Sequence, residues 1–135
     1  MKTLLASLLV WISVETDYNV DFPHPTIVSV SQIELEKIYY KGDVAPPGVE
    51  LHAFYKADTD EIYLSNEWNL YNAFDRGVLL HELVHYIQDM NNVPYACIGE
   101  LEKEVWPLQK KYLLEVHGVV WKYDELWYKM TTICH

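Results

Sequence analysis

The chain has 135 residues, half of them apolar and 14% aromatic, with 20 acidic against 10 basic side chains and a formal net charge of −10. That length suits a single domain over residues 1–135, and the apolar fraction is enough for a core and argues against disorder. An acidic balance of this size excludes nucleic acid and anionic membranes as natural partners, since both would repel it.

Residues 1–12 carry one lysine and then an apolar run, the outline of a secretory signal. Leu4, Leu5, Leu8, Leu9, Trp11 and Ile12 nevertheless recur at helical spacing, and no small-x-small cleavage site follows. The segment is expected to be a folded amphipathic helix, too short to span a membrane. Residues 26–30 form a β-branched run, read as a strand. Ser31 and Glu34 make a capping box that should start a helix through about Tyr40. Residues 41–48, with Gly42, Pro46, Pro47 and Gly48, are expected to be a loop. Residues 49–55 and 61–64 read as a β-hairpin around the polar turn 56–60, with Ile62 and Leu64 on one face. A polar connection over 66–76 should lead into a helix ending near Asn91 and Asn92, ahead of Pro94. A second long helix is expected from about Cys97 to His117, stopped by Gly118, and a short one from about Asp124 to Thr131. The sum is an α+β fold, a small antiparallel sheet packed with helices. Cys97 and Cys134 are the only cysteines. They can pair to pin the C-terminal tail or stay as buried thiols, and without a C-x-x-C unit they do not suggest zinc.

The chemistry is concentrated in His81-Glu82-Leu83-Val84-His85. Two histidines four residues apart project from consecutive turns of one helix face, so both imidazoles can reach one metal ion. Glu82 follows the first of them, where its carboxylate can take a proton from a water beside the metal without being a ligand. Val78, Leu79, Leu80, Leu83, Val84 and Ile87 supply the burial such a helix needs, and from Gly77 to Gln88 no proline and no charge but Glu82 interrupts it. The competing reading is an amphipathic helix with two satisfied core histidines.

A catalytic zinc needs a third protein ligand. On the following helix Ile98, Leu101, Val105, Leu108, Tyr112, Leu113 and Val116 define the inward stripe. Measured from its centre Glu102 lies about 60° away, Glu104 about 100° and Glu100 about 140°. Glu102 is the first choice, Glu104 the reserve and Glu100 a surface residue, while Glu115 lies too far along the helix. Pro107 removes the hydrogen bond to the Lys103 carbonyl and is expected to kink the helix.

His81-Glu82-Leu83-Val84-His85 followed by Glu102-Lys103-Glu104-Val105 resembles the gluzincin clan of zinc metallopeptidases. With Gln88 and the string Glu102-x-Glu104-Val105-Trp106-x-x-Gln109 it is similar to small bacterial gluzincin-like domains of unassigned substrate. The resemblance covers residues from about 77 to 112 and implies a zincin-like fold, with Zn2+ on His81, His85 and Glu102 and Glu82 as general base. Larger peptidases of the clan place an acid four residues after the ligand glutamate; here that position is Trp106. Gln88, Asp89 or a main-chain carbonyl is then expected to orient the imidazoles.

The function expected is hydrolysis of a peptide bond in a peptide or protein substrate. Tyr112, His117 and Tyr123 are candidates for the second electrophile an oxyanion requires. The strand 61–64, if a sheet edge, would align an extended substrate. The alternative is a catalytically inactive zinc-binding or partner-binding domain.

Overall fold

The computed structural model describes residues 1–43 and 50–134. Its elements run α1 (Lys2–Glu15), β1 (Thr26–Val30), α2 (Gln32–Tyr39), β2 (Ala53–Lys56), β3 (Glu61–Ser65), α3 (Ala73–Met90), α4 (Ile98–His117) and α5 (Glu125–Thr132). Most of the expected loop over 41–48 lies outside the described residues.

Local chemistry sets the boundaries. Ser31 Oγ accepts the Glu34 N–H at the start of α2, as the capping box requires, and Asp124 Oδ1 accepts the Trp127 N–H at the start of α5. Asn72 caps α3 by accepting the Asp75 N–H. The connection ahead of α3 is strapped to its first turn: the Trp68 indole N–H donates to the Asp75 carbonyl and the Asn69 N–H to the Asp75 carboxylate. Gly118 ends α4 in the left-handed region at φ 66°, where its N–H and that of Val119 reach back to carbonyls of the last turn.

The α+β class holds, but the sheet is mixed. Its order is β1-β3-β2, with β3 antiparallel to β2 and parallel to β1 in the register Thr26↔Glu61 to Val30↔Ser65. The expectation of an antiparallel sheet is corrected because α2 lies between β1 and the hairpin, a connection long enough to return the chain in a parallel sense. β3 is thus the centre of the sheet, not an edge, and cannot take a substrate strand. Its alternation is as expected: Ile62 and Leu64 are buried, while Tyr63 stacks on Phe54 of β2 at 5.0 Å.

The core gathers leucines of α1, Ile62 and Leu64 of β3, the apolar face of α3, and Val105, Tyr112 and Leu113 of α4. The N-terminal segment is folded against it, with Leu4, Leu5, Leu8, Leu9 and Ile12 buried. No helix among the described residues is long and apolar enough to cross a membrane.

α3 and α4 are the pair that positions the site. A Cβ on Gly77 would lie 3.1 Å from Leu113 Cδ2, so the absence of a side chain lets the helices approach closely there. From that contact the chains run antiparallel: one turn on, His81 meets Gln109, and two turns beyond, Gln88 reaches the Leu101 carbonyl. Pro107 does not disturb the assignment of α4 or its phase, and the Tyr128 hydroxyl donates to the Lys103 carbonyl that Pro107 leaves without its usual partner. Of the expected inward stripe, Ile98 and Val116 prove exposed. Cys97 and Cys134 form a disulfide, Cα–Cα 5.6 Å, which ties the end of α5 to the start of α4.

Candidate metal centre

The two histidines of α3 and Glu102 of α4 converge. Glu102 Oε1 lies 2.6 Å from His85 Nε2 and Oε2 lies 3.2 Å from His81 Nε2, and one donor atom from each of the three side chains falls within 4.8 Å of the others. A carboxylate oxygen and an imidazole nitrogen at 2.6 Å share a proton in a charge-assisted hydrogen bond, the contact that a metal ion held by both would replace. The donor set, two imidazoles and one carboxylate, is that of a divalent transition-metal site, and these three side chains fit one.

Each imidazole is held from behind. His81 Nδ1–H donates to Gln109 Oε1 at 2.7 Å and His85 Nδ1–H to Gln88 Oε1 at 3.0 Å. With the proton fixed on Nδ1, Nε2 is the atom left to bind metal on both rings. The Gln88 amide is oriented in turn, because its nitrogen donates to the Leu101 carbonyl and to Glu104, which accepts the Tyr18 hydroxyl at 2.6 Å. Glu102 is clamped by the Trp106 indole N–H, 2.6 Å from Oε2. Trp106, one turn after Glu102, therefore holds that carboxylate itself. Glutamines orient the rings, and both are buried.

Glu82 stands beside this cluster, its Oε1 4.0 Å from His81 Nε2, and it also accepts a backbone N–H from Tyr55 of β2. Burial raises the Glu82 carboxyl above its ordinary value, although the charges of His81 and His85 pull the other way. Burial works against a charged His81, but hydrogen bonding to Glu102 and the charge of Glu82 outweigh it and push the ring up to about 9. Burial likewise opposes ionisation of Glu102, yet its hydrogen bonds to His81 and His85 hold it well below the carboxylate range.

All four residues line one open cleft of about 1100 Å³ between α3, α4, α5 and β2. Several expectations are corrected around it. Glu104, the reserve, instead links Gln88 to Tyr18, whereas Glu100 is exposed as expected and Glu115 is exposed as well. Asp89 accepts the Tyr55 hydroxyl at 2.6 Å, not an imidazole. Tyr112 and His117 bond to each other at the far end of α4, and Tyr123 packs edge-on against Trp106; none of the three lines the cleft. Tyr39, at the end of α2, is among the tyrosines that do line it; burial, then the charge of Glu82, raises its hydroxyl above the ordinary value.

Gln109 and Tyr39 carried no role in the sequence reading. Gln109 had a readable signal: residues 102, 106 and 109 fall within about 60° on a helix of 3.6 residues per turn, so the partner of His81 shares a stripe with Glu102. Tyr39 had none, because only the packing of α2 against β3 brings it to the cleft.

Over residues 1–135 the chain matches a family model described as a domain of unknown function (DUF6647), and it belongs to that family. No curated protein and no solved structure matches it.

Proposed function

We propose that this member of the DUF6647 family is a zinc-dependent metallopeptidase with a zincin-like arrangement of α3 and α4. The observation that carries the reading is the convergence of His81 Nε2, His85 Nε2 and Glu102, with Glu82 beside them in an open cleft. His81, His85 and Glu102 would hold the ion, zinc being the default for such a set. Zinc, when bound, supplies Lewis acidity: it polarises a carbonyl and makes water acidic near neutral pH.

The protein's own groups carry the remaining chemistry. Glu82 takes a proton from the attacking water and returns it to the nitrogen that leaves as the C–N bond breaks. Its raised affinity for a proton, a consequence of burial, suits that exchange. Tyr39 donates its O–H to the carbonyl oxygen as negative charge develops there. β2 is the edge strand beside Glu82 and takes the aligning role first expected of β3.

The test is hydrolysis of quenched peptides by purified protein, abolished by a chelator, restored by zinc, and absent in Glu82→Gln protein that still holds metal. Undiminished hydrolysis in that variant overturns the mechanism. Metal bound with no hydrolysis in any form supports the alternative, an inactive zinc-binding or partner-binding domain.

A further inference from the structure

We infer that the cleft selects basic polypeptide segments bearing an aromatic side chain next to the reacting bond. The inference rests on the metallopeptidase reading for its chemistry, while the selectivity comes from what lines the cleft.

One wall is a continuous aromatic arc. His52 lies edge-on to Phe74 at 5.7 Å, Phe74 edge-on to Trp121 at 6.1 Å, and Trp121 stacks on Trp106 at 5.7 Å with 20° between planes. All four line the cleft. The arc ends on the site itself, since the Trp106 indole N–H is bonded to Glu102. A substrate side chain leaving the reacting carbonyl toward α4 meets flat π surface, and an aromatic one gains most from it.

The charge is one-sided. Glu50 and Asp89 line the cleft in addition to Glu82 and Glu102, and none of the described lining residues is a lysine or arginine. A bound dication offsets the two site carboxylates, and Glu50 and Asp89 remain to attract cations in a chain of net charge −10. Lysine and arginine also have the aromatic faces available to them. Outside the cleft, Tyr123, which packs edge-on against Trp106, has Lys110 Nζ 5.6 Å from its ring centre. An acidic segment finds no compensating charge.

The experiment uses full-length Glu82→Gln protein loaded with zinc and end-blocked, fluorescein-labelled peptides of equal length, read by anisotropy. One peptide places lysines around a central phenylalanine, one places glutamates there, and one keeps the lysines with alanine at the centre. The lysine–phenylalanine peptide is expected to bind about tenfold tighter than either of the others. Trp121→Leu protein, checked for unchanged zinc content and thermal unfolding, should lose the preference for phenylalanine and keep that for lysine. Equal binding of the lysine and glutamate peptides, or no binding at all, overturns the inference. The same peptides offered to wild-type protein separate it from the reading beneath it. Selective binding without cleavage leaves the inference standing and removes the peptidase; cleavage without charge preference does the reverse.

Discussion

The two faces of α3 are built on opposite principles. On one side Leu79, Leu80, Leu83, Val84 and Ile87 are fully buried in the core, held by contacts that have no direction and respond to volume. On the other His81, Glu82, His85 and Gln88 face α4 and β2, and each is paired: His81 with Gln109, His85 with Gln88, Gln88 with Glu104, and Glu82 with the Tyr55 backbone. No buried side-chain nitrogen or oxygen among the described residues lacks a partner. The apolar face explains why the helix is there, and the polar face explains what it presents. Damage to the first should therefore register as lost stability, and damage to the second as lost metal binding or catalysis.

Substitutions on each face sharpen the contrast. The largest effect belongs to Glu82→Gln, which keeps the size of the side chain and removes its base: hydrolysis should fall by about 10²–10⁴-fold while metal content and thermal unfolding stay put. Leu83→Ala, one residue along, should do the reverse, costing about 2–5 kcal/mol in a urea titration with metal stoichiometry of the folded protein unchanged. Loss of metal in Leu83→Ala without loss of stability would break the comparison.

Gln109→Leu and Gln88→Leu come next. Each frees one imidazole from its orienting bond and should weaken zinc about 10–100-fold in a chelator competition. The two should differ in stability, because Gln88 also satisfies the Leu101 carbonyl and Glu104, whereas Gln109 serves His81. The smallest effect is at Tyr18. Burial, then its hydrogen bond to Glu104, raises its hydroxyl well above the ordinary value of 10. The folded state therefore keeps a proton that the unfolded state releases, so this contribution is complete below pH 10 and is lost as pH rises above it. Tyr18→Phe should flatten the alkaline fall in stability, and an unchanged slope would remove Tyr18 from the network.

The apolar face was legible in the sequence, and the polar one only in part. Capping residues and Gly118 located α2, α4 and α5 to within a residue or two, because those signals are local, whereas α1 runs about a turn longer than expected and α3 begins about a turn earlier. Glu102 emerged over Glu104 from phase, and it is Glu102 that approaches both histidines, since α4 continues as one helix through Pro107. The parallel pairing of β1 with β3 was hidden, because strand neighbours depend on how a long connection folds back. Tyr39 and Tyr18 were hidden for the same reason: α2 and the segment after α1 carry no mark of what they will meet. Tyr112, His117 and Tyr123 suited the chemistry of an electrophile, but helix position sends the first two to the far end of α4.

The central claim is that His81, His85 and Glu102 bind a metal ion, and elemental analysis of purified wild-type protein beside Glu102→Ala tests it most directly. The account predicts about one zinc per chain in the wild type and loss of most of it in the variant. No metal in the wild type even after incubation with zinc, or the same content in both proteins, would contradict it.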